Sequence, residues 1–267
     1  MITAIKYFIR WIISLLSSIN KRFIPFSPPF LSSQILFDKK AMNFIVFKIR
    51  NYVDWISLRQ VYFNEDYRIS QLKRANDIYK CYENIIKENE VPLIVDCGAN
   101  IGLSAQYFSN EFKDSHVVAV EISYENVNQI QLNIKNKENI SIKNNAIGSE
   151  SILYDFIDPG LGANAFRAHP SSQNQGIQGI TINDIIQEHS DKKPFIIKID
   201  IEGGEYDLFS KNYDWIDKFP IIIIELHDWL LPNNANSYPF IKAISNYKRD
   251  FVICGENIYS ISNSMNN

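Results

Sequence analysis

The segment with the clearest chemical potential is residues 95–102, Val-Asp-Cys-Gly-Ala-Asn-Ile-Gly, together with Glu121 nineteen residues further on. An apolar run, Pro92 to Val95, leads into this segment, and the amphipathic stretch Leu103 to Phe112 follows it. A second apolar run, Val117 to Val120, then ends on Glu121. These patterns predict a strand, a tight loop, a helix and a second strand with a carboxylate at its tip. Such a unit offers backbone amides and a helix N-terminus to one end of a nucleoside-like ligand, and a carboxylate to its ribose.

The chemistry of the loop narrows the choice of ligand. A dinucleotide-binding loop typically contains three glycines, whereas this loop has Gly98 and Gly102 with three residues between them. Asp96 lies where a diphosphate would approach and would repel it, which disfavours a nicotinamide-dependent oxidoreductase. A carboxylate there suits an ammonium group, so the pattern favours S-adenosylmethionine, whose ribose hydroxyls would donate to Glu121. The alternative is that the two glycines only permit a tight turn.

A second acidic motif, Lys-Ile-Asp-Ile-Glu-Gly-Gly-Glu over residues 198–205, begins within the apolar run Phe195 to Ile199. Charges this dense at a buried strand tip need partners or a function. A carboxylate such as Asp200 would accept the proton of a substrate hydroxyl. Alternatively, Asp200 and Glu202 would hold a divalent cation that lowers the pKa of the hydroxyl. A third interpretation is that Glu202 and Glu205 cap the following helix through its dipole.

His227 is the histidine with the most suggestive position. It follows the buried run Ile221 to Ile224, so the predicted sheet places it on the same edge as Asp200. Its neutral imidazole would serve as a general base. A single histidine beside a buried strand is also a common structural residue, and that alternative stays open.

Composition excludes some classes of partner. With 267 residues, 46% of them apolar, the chain predicts one domain with an N-terminal extension. Nucleic-acid-binding proteins usually carry excess positive charge. The net charge of −3 therefore argues against nucleic acid as a partner. The three cysteines are scattered without metal-ligand spacing, which suits a reducing compartment and predicts a cytoplasmic protein.

The N-terminal residues differ in charge from the rest, because no acid precedes Asp38. Residues 5–23 put apolar side chains on one helical face and basic and serine side chains on the other. The longest uncharged run, Trp11 to Asn20, is too short to span a bilayer. We therefore expect residues 1–24 either to lie on an anionic membrane surface at its cytoplasmic face, or to pack on this domain or a second subunit. Pro25, Pro28 and Pro29 predict a stiff linker.

Alternating strands and helices over the remaining chain predict a mostly parallel α/β sheet. A single helix is expected from Ile69 to Lys87, an extra strand from Ser151 to Ile157, and a terminal hairpin around Gly255. The segment Asp158 to Gln178 shows no periodicity and predicts a long loop, with Asn164, Phe166, Arg167 and His169 as the polar and aromatic residues of an acceptor lid.

Taken together, these motifs resemble the FkbM-type S-adenosylmethionine-dependent methyltransferases. The resemblance extends from about Leu93 to His227, and the Lys-Ile-Asp-x-Glu-Gly-x-Glu stretch over residues 198–205 is its specific part. It implies a Rossmann-like methyltransferase fold and O-methylation of sugars, glycan termini or related products. It also assigns residues to the cofactor side (Asp96, Gly98, Asn100, Glu121, Asn145 and Ala146) and to the substrate side (Asp200, Glu202, Glu205 and His227).

We therefore expect an O-methyltransferase that acts on a hydroxyl of a cell-surface glycan or similar metabolite, with Gly102 completing the cofactor loop and Asp200, Glu202 and His227 doing the chemistry. The expected units are a basic helix and linker (1–40), an N-terminal cap segment (41–90), the methyltransferase domain (91–262) and a polar tail (263–267). The rival hypothesis is a non-catalytic partner that keeps the pocket and joins a membrane-associated assembly.

Overall fold

The computed structural model of the protein describes residues 9, 11–13, 15–28, 31–135, 137–157, 167–171 and 176–265. The strands lie in three sheets: β1 Phe23–Pro25, β2 Ser33–Asp38, β3 Asn43–Lys48, β4 Val91–Cys97, β5 His116–Val120, β6 Ile140–Lys143, β7 Ala146–Ile147, β8 Leu153–Ile157, β9 Arg167–Pro170, β10 Ile177–Ile180, β11 Lys192–Ile199, β12 Ile221–Glu225, β13 Arg249–Cys254 and β14 Asn257–Ser262. The α-helices are α1 Tyr52–Leu58, α2 Ala75–Lys87, α3 Leu103–Glu111, α4 Tyr124–Asn133, α5 Ile182–Glu188, α6 Glu205–Leu208 and α7 Tyr238–Ile244.

The central sheet has the strand order β6-β5-β4-β11-β12-β14-β13. Its first five strands are parallel, while β14 runs antiparallel to both β12 and β13. Successive residues of β4 face opposite cores: Ile94 joins the cluster that contains Phe112, and Val95 joins the cluster that contains Trp215. The predicted α/β class with a mostly parallel sheet and flanking helices is therefore confirmed, as is the terminal hairpin.

The strand order reverses between β4 and β11. The chain continues from β4 to β5 on one side, whereas β11 lies on the other side and continues to β12. The loops that follow β4 and β11 therefore diverge, and a crevice opens between them at the carboxyl ends of the strands. The register pairs Asp96 with Lys198 and Cys97 with Ile199, so the two sequence motifs meet at this point.

The helix predicted from Ile69 to Lys87 is interrupted. A 3-10 turn covers Ile69–Gln71, and α2 begins only at Ala75. Between them Leu72 has an extended backbone (ψ 142°) and buries its side chain in the core. The apolar residues at helical spacing are buried or partly buried as the pattern predicts, but Leu72 lies in an extended segment between the 3-10 turn and α2.

Pro25 lies in a strand and not in the stiff linker that the sequence predicts. Strands β1, β2 and β3 make a three-stranded antiparallel sheet, and Pro25 lies in its edge strand, where a missing N–H is tolerated. Phe23 and Phe47 on the inner face pack against the ring of Tyr62. Because strand pairing with distant residues decides this structure, local proline content misleads.

The predicted long loop also contains strands. Strand β9 pairs with β8, and β10 pairs with both β8 and β7, giving a four-stranded sheet. These four-residue strands are too short to show a period of two, which is why the sequence predicted loop. Asn164 and Phe166, which the sequence predicts to be lid residues, lie outside the described residues, so the lid stays a prediction. The division of the chain into units also stays a prediction.

Within the part of the chain that the structure describes, no helix combines the length and apolar character needed to cross a bilayer.

Candidate active site

A cavity of about 390 Å³ lies at the carboxyl ends of β4, β5, β11 and β12. Its wall brings together most of the residues that the sequence singled out: Gly98, Asn100, Glu121, Asn145, Ala146, Asp200 and Glu202. Asp96, Gly102 and His227 do not line the cavity and stand behind its wall. Their effect on a ligand is therefore exerted through the residues they hold.

Each of the two loop positions, 98 and 102, requires glycine for a different structural reason. Gly98 has φ +78°, and a Cβ there would stand 1.8 Å from the carbonyl oxygen of Asp200. Gly102 has φ +84° at the start of α3, and its missing side chain admits Ile130 of α4. Gly98 thus lets the loop after β4 pass directly against the end of β11, and Gly102 sets the packing of the helices around it.

Glu121 is a buried carboxylate that organises the glycine loop. It is 5% exposed and accepts hydrogen bonds from the backbone N–H of Asn100 (2.8 Å), the backbone N–H of Ser123 (2.9 Å) and the amide of Asn126 (3.3 Å). Burial raises its pKa to about 7, although the three hydrogen bonds pull the other way. Its carboxylate therefore faces the cavity in a fixed position.

The ammonium group that pairs with Asp96 belongs to the chain itself and not to a ligand. The Nζ of Lys198, 2% exposed, lies 3.1 Å from Asp96 and 3.4 Å from Asp200, and it donates to the carbonyl of Gly98 at 2.7 Å. The hydroxyl of Ser104 donates to the second oxygen of Asp96 at 2.6 Å. Burial opposes the charge on Lys198, but the two carboxylates outweigh it and raise the pKa of Lys198 well above its ordinary value.

Lys198 lies in the second acidic motif, but its role was not predicted from the sequence. A lysine inside a fully buried apolar strand needs a carboxylate partner, and this signal was present in the sequence. Trp229 was missed as well. Its ring is 69% exposed and lines the cavity, but no motif marks it.

Around His227 the structure gathers four carboxylates. Its Nδ1 lies 2.8 Å from Glu205, which is 0% exposed and also accepts the amide of Asn236 at 2.7 Å. Its Nε2 faces Asp200 and Glu202, each 3.6 Å away, and Glu225 at 3.7 Å. Glu205 is the first residue of α6, after the cap residue Gly204, and its carboxylate binds His227 and makes no capping hydrogen bond.

The same crowding shifts the pKa values of the cluster. Burial would lower the pKa of His227, yet its hydrogen bond to Glu205 and the charges of Glu205, Asp200 and Glu202 raise it to about 9. Burial and the charge of Asp200 raise the pKa of Glu202 to about 8 and that of Glu225 to about 7. Asp200, Glu202 and His227 each offer one ligand atom, and these atoms lie within 4.8 Å of one another.

A parallel α/β sheet with a glycine loop, an acid at the tip of the second strand and a cavity at the strand-order reversal defines a nucleoside-binding Rossmann-like domain. The Methyltransferase FkbM domain matches residues 96–251, more than half of the chain. The protein therefore belongs to the FkbM methyltransferase family, and its activity class is S-adenosylmethionine-dependent methyl transfer.

Solved structures of methyltransferases resemble the chain in fold. SAH-bound PaMTH1 of Podospora anserina is 11% identical, with 79% of this chain and 86% of that one covered and a TM-score of 0.42. A putative caffeoyl-CoA O-methyltransferase from Staphylococcus aureus is 13% identical, with 79% and 98% covered and a TM-score of 0.37. The N-terminal domain of human METTL16 in complex with SAH is 13% identical, with 70% and 68% covered and a TM-score of 0.37. A search of curated proteins gave no match.

Replacing Lys198 by methionine should lower the free energy of unfolding by about 3–5 kcal/mol, because Asp96 is left buried without a cation. Adding Asp96→Asn to Lys198→Met should recover part of that loss. Urea unfolding of the two single variants and the double variant measures the coupling between the two residues. Strictly additive losses would show that the pair does not interact.

Gly98→Ala should lower the melting temperature far more than Gly255→Ala. Both glycines have positive φ, but a Cβ at Gly255 meets nothing within 4 Å, whereas at Gly98 it meets the carbonyl of Asp200. Gly255→Ala therefore carries only the left-handed penalty, a loss of about 2–8 °C. The melting temperatures are measured by calorimetry. Equal decreases in the two variants would contradict a steric requirement for glycine where residue 98 approaches the carbonyl of Asp200.

Proposed function

We propose that the protein transfers the methyl group of S-adenosylmethionine to a hydroxyl oxygen of a sugar in a cell-surface glycan. The observation that carries this proposal is the cavity wall, where Glu121 from one strand and Asp200 and Glu202 from another face the same space. One carboxylate suits ribose hydroxyls, and the others suit the hydroxyl that is to be methylated.

The cavity suits the cofactor in shape and polarity. Gly98 leaves the loop without a side chain, Glu121 offers carboxylate oxygens for ribose hydroxyls, and Asn145 and Ala146 lie on the wall of the same cavity. Asp96 contributes by holding Lys198, which fixes the carbonyl of Gly98. When bound, S-adenosylmethionine supplies an electrophilic methyl group, and the chain's own residues align and deprotonate the acceptor.

In the transfer, the acceptor oxygen forms a bond to the methyl carbon while the carbon–sulfur bond breaks and its electron pair remains on sulfur. The hydroxyl proton must pass to a base. Asp200 lines the cavity and is 26% exposed at its side chain, whereas His227 is 1% exposed behind it. We assign the proton to Asp200, with Glu202 beside it, and give His227 the task of positioning both. Alignment of oxygen, carbon and sulfur supplies much of the acceleration.

Trp229 supports a sugar as the acceptor. Its exposed ring stands at the cavity wall, where an aromatic face packs against the apolar face of a pyranose while the carboxylates receive its hydroxyls.

The proposed reaction is tested by incubating the protein with S-adenosylmethionine carrying an isotopically labelled methyl group and with surface glycans from cells that lack the protein. Mass spectrometry should find one added labelled methyl group on a sugar oxygen. Tight cofactor binding without transfer to any hydroxylated acceptor would favour the non-catalytic partner instead.

Glu121→Gln should weaken binding of S-adenosylmethionine by about 1–3 kcal/mol, because a carboxylate accepts ribose hydroxyls more strongly than an amide. Since burial holds the pKa of Glu121 at about 7, wild-type affinity should rise between pH 6 and pH 8 as the carboxylate ionises. Calorimetry of Glu121→Gln should find this rise lost. Glu125→Gln, on the exposed first turn of α4, is the control; a shared pH profile in all three proteins would exclude Glu121.

Asp200→Asn should lower turnover by about 10²-fold or more, because the amide cannot accept the proton. Its affinity for S-adenosylmethionine should change much less. Asp228→Asn, a neighbouring acid off the cavity wall, is the matched control. Wild-type turnover in Asp200→Asn would end the assignment of Asp200 as the base.

We further propose that the N-terminal region holds the protein on the cytoplasmic face of an anionic membrane. Residues 1–48 contain seven basic residues and one acid. Residues 11–13 and 15–18 are helical. Exposed apolar side chains lie on and beside this helical segment and on the outer face of the β1-β2-β3 sheet: Ile12, Ile13, Leu16, Ile19, Phe26, Ile35, Phe44 and Val46. An outer sheet face is ordinarily polar, so the combination of apolar surface and positive charge suits anionic lipid.

The double substitution Leu16→Glu and Phe44→Glu should reduce binding to phosphatidylglycerol vesicles at least tenfold, because it places two acids on the apolar surface. Both side chains are about 60% exposed, so the fold should tolerate the change. Ile253→Glu, an exposed substitution on β13, is the control. Flotation of the full chain should find it with the vesicles; a wild-type chain that stays behind would refute the membrane proposal.

A further inference from the structure

We infer that Asp200, Glu202 and His227 form a divalent-cation site at the side of the cavity where the acceptor binds, and that the bound cation holds the acceptor oxygen. This inference rests on the proposed function for the identity of the acceptor. The cation site itself stands on the geometry around His227.

The distances fit ligands that share one ion. The Nε2 of His227 lies 3.6 Å from an oxygen of Asp200 and 3.6 Å from an oxygen of Glu202. These separations are too long for hydrogen bonds. Ligand atoms bound to one divalent ion at right angles lie about 3–3.5 Å apart. The three candidate ligand atoms lie within 4.8 Å of one another, so the side chains would draw together around a bound ion.

The imidazole is oriented as a ligand. Glu205 accepts from Nδ1 at 2.8 Å, and the amide of Asn236 fixes the other oxygen of Glu205. With a pKa of about 9 the free imidazole carries a proton on each nitrogen; an ion at Nε2 would displace that proton, while the bond to Glu205 keeps the proton on Nδ1. Nε2 belongs to a 1% exposed side chain and has no hydrogen-bond partner among the described residues. A buried carboxylate behind a histidine is the usual support of a metal ligand.

The carboxylates themselves lack donors. Glu121 receives three hydrogen bonds from the chain, whereas the carboxylates of Asp200, Glu202 and Glu225 accept none from any described residue. Asp200 has ion contacts with Lys198 at 3.4 Å and with His227 at 3.6 Å. Three partly buried carboxylates within 3.7 Å of one nitrogen therefore face one another without neutralising hydrogen bonds. Glu202 also holds a left-handed backbone, φ 53°, a strain found at functional sites.

The mixed ligand set favours a first-row ion such as Mn²⁺, because carboxylates suit hard ions and imidazole suits transition metals. A cation there would coordinate the acceptor hydroxyl and lower its pKa. Asp200 would bind the cation through the oxygen that faces His227 and would keep its role as proton acceptor through its other oxygen.

Titration of the full chain with Mn²⁺ alone, followed by electron paramagnetic resonance, tests the site. Wild type should bind one ion, and Glu202→Gln should weaken binding by at least tenfold. Glu256→Gln removes the same charge at the edge of the same cavity, outside the cluster, and should bind as wild type does. Glu205→Gln should weaken binding while leaving all direct ligands in place, with thermal unfolding as the check on folding.

Absence of Mn²⁺ binding, or equal weakening in Glu202→Gln and Glu256→Gln, would overturn the inference. So would full methyl transfer by metal-stripped protein, which leaves the proposed function standing. The opposite result, a bound ion and bound S-adenosylmethionine with no transfer to any hydroxyl, would sustain the cation site and refute the function.

Discussion

The structure of the site depends on the buried ammonium group of Lys198. It lies between Asp96 at the end of β4 and Asp200 after β11, and it also binds the carbonyl of Gly98. Two strands, the glycine loop and Asp200 of the cluster around His227 are thereby tied to one atom. Such a buried ion pair need not stabilise the fold overall, but losing one partner is costly, so it fixes geometry.

That arrangement separates the carboxylates of the site into two kinds. Asp96, Glu121 and Glu205 are at least 95% buried and hold their neighbours in place through hydrogen bonds or ion pairs. Asp200, Glu202 and Glu225 line the cavity and accept no hydrogen bonds from the described residues. The first kind holds the cavity wall in place, and we propose that the second kind receives an acceptor, a proton or a cation.

The parts of this structure that have local sequence patterns could be predicted from the sequence. Buried runs such as Ile221 to Ile224 and the loop of Gly98 and Gly102 have signatures within a few residues, and the strand ends follow from the rule for parallel sheets. The role of Asp96 was misread because its partner, Lys198, is about a hundred residues away and meets it only through strand register. The same reason explains Pro25 in β1 and the strands β9 and β10, whose pairing partners lie elsewhere in the chain.

Trp229 and the coupling of His227 to Glu205 were beyond sequence reasoning for another reason. Side-chain exposure and hydrogen-bond geometry arise from packing, and no spacing rule states which of several acids a histidine will face. The motif therefore predicted which residues meet but not which of them reach the cavity.

The central claim is that the cavity between β4 and β11 holds the adenosyl cofactor. A crystal structure of the full chain with S-adenosylhomocysteine tests it most directly. We expect ribose hydroxyls within hydrogen-bond distance of Glu121 and a sulfur atom that faces Asp200 and Glu202 across the acceptor space. A ligand bound elsewhere, or a cavity that stays closed by its own side chains at saturating ligand, would contradict it.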